Sequence, residues 1–268
     1  MSLSIQTKAI FRTDQLLSRI EPYYIIQAYR GSIAHGTYES KTTNDDKDLM
    51  NIFVAPESVI FGIERMETIE RTFEEQISQK KIIQWDIVCY TLQKFIELLL
   101  KQNPNVLMLL WLDKKHYIDV HPLGEILIEN RHKFMSKRMY NSFSGYAYSQ
   151  LHRMTHHAPT DRMGAKRKEL IEKFGYDVKN ASHLIRLLKQ GIEALSTGEL
   201  QVERPDAQML LEIKRGEWKK DDVLKYAESL FPKLLDALNN SRLPARPDHH
   251  FVNEVCMAIH KEFYKVMK

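Results

Sequence analysis

The chain has 268 residues, with 39 lysines and arginines against 35 acids and 28% charged residues. That length favours one large domain or two small ones. The longest apolar run, Val106 to Leu112, is too short to span a bilayer, and Asp14 sits where a signal sequence would be uniformly apolar, so the chain reads as cytoplasmic with no membrane partner.

Thr7 to Ile20 places Ile10, Phe11, Leu16, Leu17 and Ile20 on a helical period and predicts an amphipathic helix. An apolar run from Tyr24 then ends in Gly31-Ser32, a polar passage follows, and a second apolar strand opens with acids. Residues two apart on a strand share a face, so Asp46 and Asp48 project together, about 7 Å apart at Cα. Asp45 offers a competing register, but its partner two residues on is Lys47, which favours Asp46 and Asp48. Two carboxylates this close call for a cation between them, and oxygen ligands beside a phosphate site favour Mg²⁺. Gly31 lets the backbone approach a ligand closely, and a strand turning into a helix start presents N–H groups to phosphate. The alternative is a glycine turn followed by an acid-rich solvated loop.

After Ala55-Pro56, Glu57 to Phe61 suggests a helical turn and Arg65 to Phe73 a strand. Lys81 to Tyr90 alternates cleanly, with Ile83, Trp85, Ile87 and Cys89 on one face and Ile82, Gln84, Asp86 and Val88 on the other. Asp86 is a candidate third acid, since an in-line phosphoryl displacement uses one more carboxylate near the attacking hydroxyl; its other reading is a satisfied polar residue at a strand edge. Thr91 to Trp111 is helical with a break at Asn103-Pro104. Lys115 to Val120 suggests a closing strand, and His121-Pro122 a boundary. Cys89 and Cys256 read as buried free thiols.

Everything after residue 121 reads as helix: Leu123 to Asn130, Phe134 to Met154, Gly164 to Gly175 and Asp177 to Leu195. His152, His156 and His157 have helical spacing, but no nearby ligand completes a metal set before Asp161. Residues 1–120 carry 14 basic against 16 acidic residues, whereas 131–189 carry 13 against 4. Such asymmetry is the footprint of a polyanion-binding half, although a basic helix can also be a merely solvated face.

The Gly-Ser, spacer and acid-x-acid pattern resembles the DNA polymerase β-like nucleotidyltransferase superfamily, with Lys47 departing from the residue usual between the acids. The blocks GSIAHGT, DDKDLMNIFV, WDIVCYTLQKF, SGYAYSQLHR, GYDVKNASHLIRLL and LPARPDHHFVNE extend the likeness over most of the chain. They are similar to a predicted nucleotidyltransferase family associated with RNA ligase in RNA repair. The resemblance implies an α/β (α+β) fold, with a mixed catalytic sheet in residues 1–120 and a basic α-helical substrate-binding domain in 121–268. It implies transfer of a nucleoside monophosphate from an NTP to an RNA hydroxyl, tRNA among the candidates. Asp46, Asp48 and Asp86 would hold two Mg²⁺ (or Mn²⁺) ions. Gly31 and Ser32 would bind the β/γ-phosphates, and Lys166, Arg167, His183 and Arg186 other phosphates. A protein adenylyltransferase of antitoxin type and a non-catalytic RNA-binding relic are the competing readings.

Overall fold

A computed structural model describes residues 3–40, 44–156 and 165–267. It is an α+β protein built on a five-stranded mixed sheet. The strands are β1 (Tyr24–Arg30), β2 (Asn44–Phe53), β3 (Thr68–Ser78), β4 (Lys81–Thr91) and β5 (Tyr117–Val120), in the order β3-β4-β2-β1-β5. β2 and β4 run parallel, and every other pair is antiparallel. β3 and β4 form a hairpin closed by Gln79-Lys80, with Ser78 opposite Lys81, the two-residue loop that matches strand twist. β3 begins later and runs further than the expected Arg65 to Phe73, because its pairing with β4 continues through Glu74, Glu75 and Gln76.

The apolar face of the sheet forms the core. Leu49, Phe53, Ile83, Trp85, Ile87 and Cys89 pack with Leu17 and Ile20 from the second helix. The single helix expected over Thr7 to Ile20 is two, Ile5–Arg12 and Gln15–Ile20. Asp14 explains the break: its carboxylate accepts from the N–H groups of Leu16 and Leu17 at 2.9 Å. An acid that can bond those free N–H groups starts a helix better than it continues one. Glu75, 2% exposed, accepts from Thr7 Oγ1 at 2.9 Å and Trp85 Nε1 at 2.7 Å, which ties the first helix to the back of the sheet.

By contacts the chain divides into two compact units. One comprises the described residues up to 100, 106–134 and those from 248 on; the other comprises those of 101–105 and 135–247. This does not coincide with the expected division at 120/121. Helix Pro122–Glu129 packs on β1 and β5, where Gly124 lies against the Ile25 carbonyl. Helix His249–Val266 also belongs to the sheet unit, with Phe263 stacked on Tyr23 at 5.8 Å.

The second unit is helical: Met139–His156, Ala165–Phe174, Val178–Thr197, Ala207–Lys214 and Lys220–Asn240. Val178–Thr197 lies at its centre and packs on the other four. Gly191 admits that packing, being close to Leu234 Cδ1 and Phe143 Cβ. The helix expected from Phe134 starts only at Met139, because Arg131–Phe134 is a 3-10 turn and the Ser136 N–H is held by Gln102 Oε1 at 3.1 Å. Both cysteines are free. No helix among the described residues is long and apolar enough to cross a membrane.

Candidate active site

Strand register assembles the acids. Asp48 pairs with Arg30 on β1 and with Asp86 on β4, and adjacent strands lie about 4.8 Å apart. Asp46 is opposite Gln84. By the alternation of strand side chains, Asp46, Asp48, Gln84 and Asp86 share one sheet face. Lys47 lies on the other face, its Nζ 5.1 Å from the centre of the Trp85 ring. The three acids are half-buried, so solvent and ligands reach them.

Gly31 adjoins this pair directly. It follows β1, opens the short helix Gly31–Ala34 and has φ +64°, a conformation side chains rarely tolerate. A Cβ at this position would overlap Asp48 Oδ2 and stand 3.0 Å from its Cγ. The space a side chain would need is thus the space that the Asp48 carboxylate occupies. Ser32, the next residue, is half-buried, and its carbonyl accepts from the Thr37 N–H at 2.9 Å, which turns the chain back toward β2.

Several neighbours escaped the sequence reading. Asp86 Oδ1 accepts from Thr72 Oγ1 at 2.8 Å and from Gln84 Nε2 at 3.3 Å. Asp45, 2% exposed, accepts from the Tyr38 hydroxyl, from Ser40 Oγ and from the Asp46 N–H. It pins the segment entering β2 and takes no place beside Asp46 and Asp48. Arg30 Nη2 lies 3.6 Å from Asp48 Oδ1. Its position immediately before Gly31 was the available signal, but only the β1–β2 register reveals its partner.

The donor set suits Mg²⁺, being hard carboxylate oxygen beside a glycine that admits close approach. No three His, Cys, Asp or Glu residues form a metal-holding group among the described residues. Mg²⁺ does not require an all-protein cage, since one or two carboxylates, waters and substrate phosphates complete its shell.

In the helical unit, Lys166 and Arg167 lie on helix Ala165–Phe174, with side chains outside the described residues. His157 and Asp161 are outside them altogether. His183 is half-buried on helix Val178–Thr197. Arg186, expected with it as a phosphate contact, is only 6% exposed. Its Nη1 donates to Gln190 Oε1 at 2.8 Å, and its Nε is buried without a partner. Among the described residues it has no carboxylate partner, because the nearby Arg204 takes Glu193 and Asp206. Burial and then Arg204 push the Arg186 pKa down to about 10. A buried cation without an anion is costly. Replacing the pair together, Arg186→Met with Gln190→Leu, should therefore stabilise the protein by about 1–4 kcal/mol. Urea melts check this, and a lowered midpoint would contradict it.

The sequence profile of the RNA repair pathway DNA polymerase beta family matches residues 18–258, which include the strands carrying Gly31, Asp46, Asp48 and Asp86. The chain belongs to that family. As a member of the RNA repair pathway DNA polymerase beta family it is a nucleotidyltransferase, and its acid-bearing sheet fits that assignment. Among solved structures, a nucleotidyltransferase-like protein from Exiguobacterium sibiricum is 12% identical, with a TM-score of 0.31 over 97% of this chain and 79% of that one. No curated protein matches the chain.

Proposed function

We propose that the protein transfers a nucleoside monophosphate from an NTP to a hydroxyl of an RNA end, tRNA included, and releases pyrophosphate. The observation that carries this reading is the contact of Gly31 with Asp48, in register with Asp86. It brings the phosphate-approach glycine and the carboxylates to one place. Asp46, Asp48 and Asp86 would hold Mg²⁺ or Mn²⁺, and such ions stabilise charge developing on phosphate oxygens. Gly31 and Ser32 admit the β- and γ-phosphates to the backbone. Asp86, oriented by Thr72 and Gln84, takes the proton of the acceptor hydroxyl as its oxygen bonds the α-phosphorus and the bond to pyrophosphate breaks. Lys166, Arg167 and His183 of the helical unit would contact phosphates of the NTP or of the acceptor, whereas Arg186, 6% exposed and bonded to Gln190, is left out of that set.

Incubation with each labelled NTP, with RNA or with protein alone, tests the reaction. Label on RNA supports the proposal, label on protein favours an adenylyltransferase, and no label in either favours a non-catalytic binder. The acceptor assignment rests on the charge of residues 131–189, 13 basic against 4 acidic. RNA affinity should fall by about 0.7 log units per phosphate contact for each log unit of salt. Changing Lys166, Arg167 and Lys168 together to Ala should flatten that slope. An unchanged slope removes this helix from the RNA site, and lost NTP binding in its place reassigns it to the triphosphate.

A further inference from the structure

We propose that Arg30 couples metal binding to NTP binding: it neutralises Asp48 in the free enzyme and moves onto the triphosphate when the nucleotide arrives. The inference rests on the reading of Asp48 as a metal-holding carboxylate.

Three observations carry it. Arg30 and Asp48 are cross-strand partners, yet Nη2 to Oδ1 is 3.6 Å, well beyond the 2.7–2.9 Å typical of a charge-assisted hydrogen bond. The Arg30 Nε is buried and makes no hydrogen bond, so the guanidinium holds donor capacity that Asp48 does not use. Both side chains are about one-third exposed, at 30% and 31%, so burial locks neither of them in its present contacts.

Electrostatics supplies the direction of the switch. A divalent cation on the Asp48 carboxylate would face a guanidinium a few ångströms away, and like charges at that distance repel strongly where water is partly excluded. Arg30 must then turn aside. Its root is the residue before Gly31, where the backbone opens to phosphate, and a planar guanidinium pairs with phosphate oxygens through two parallel N–H donors. Metal alone therefore competes with Arg30 for Asp48, whereas metal with NTP gives Arg30 a better anion. Each ligand strengthens the other, and the coupling is reciprocal.

Mn²⁺ binding, followed by electron paramagnetic resonance with and without a non-hydrolysable ATP analogue, measures this coupling. In the wild type the analogue should tighten Mn²⁺ by at least about tenfold. Arg30→Gln should bind Mn²⁺ alone several-fold more tightly than wild type, bind the analogue about tenfold or more weakly, and lose most of the coupling. Arg30→Lys, which keeps the charge but not the fork, should retain weak Mn²⁺ binding in the absence of the analogue and recover only part of the analogue affinity. These opposite signs exclude a merely structural role, since a misfolded site would lose both ligands. If Arg30→Gln binds Mn²⁺ and analogue as wild type does while Asp48→Asn loses Mn²⁺, the proposal for Arg30 fails alone. If Asp48→Asn still binds Mn²⁺ normally, the metal reading of the site fails and this proposal falls with it.

Discussion

Asp48→Ala is expected to reduce nucleotidyl transfer by at least about a thousandfold, the scale of removing a principal electrostatic contributor to a transition state, while the protein still folds. Asp48 has the site's central position, with Arg30 on one side, Asp86 on the other and Gly31 against its carboxylate. It is not a buried structural charge: its side chain is 31% exposed, and its ion pair with Arg30 spans 3.6 Å. Removing a half-exposed carboxylate with so loose an ion pair should shift the urea midpoint little. Asp45→Ala is the contrast. Its carboxylate is 2% exposed and holds Tyr38, Ser40 and the Asp46 N–H, so that variant should lose stability by a few kcal/mol. Label incorporation and urea melts on both variants check the pair. Asp48→Ala transferring within tenfold of wild type would remove this carboxylate from the chemistry.

Gly31→Ala should cost activity out of proportion to stability. The residue has φ +64° and no room for a Cβ, because the Asp48 carboxylate occupies that space. Alanine in the left-handed region costs about 1–2 kcal/mol by itself. The displaced carboxylate should lower transfer by about a hundredfold or more, since a shift of about 1 Å at a reacting centre has that effect. Gly175 provides a matched control, with φ +76° and, among the described residues, no heavy atom within 4 Å of where a Cβ would stand. Gly175→Ala should show the same strain without loss of activity. Equal activity in the two variants would mean that Asp48 can move without consequence.

The strand alternation was legible because its period is short and local. The faces of β4 follow directly from Ile83, Trp85, Ile87 and Cys89, and the same alternation puts Lys47 over Trp85, on the face opposite Asp46 and Asp48. What brings Arg30, Asp48 and Asp86 side by side is the β1–β2 and β2–β4 register, a long-range pairing that no local spacing encodes. The break at Asp14 was missed because apolar periodicity continues across it, while the capping bond that stops the helix depends on one side chain. Arg186 shows the opposite failure. The resemblance implied phosphate contact for His183 and Arg186 alike, and packing of helix Val178–Thr197 against its neighbours places Arg186 inside.

The sheet unit is discontinuous in sequence, and this has a consequence for synthesis. Its strands are all made by residue 120, yet Val252, Val255, Ile259 and Phe263, buried on helix His249–Val266, come more than a hundred residues later. On a ribosome adding residues from the N-terminus, the helical unit has all of its chain first, although it starts later. During that interval the sheet unit must wait with Tyr23 unstacked and the carbonyl of Ala55 without the hydroxyl of Tyr264. The segment that completes the sheet unit therefore emerges only after the whole helical unit.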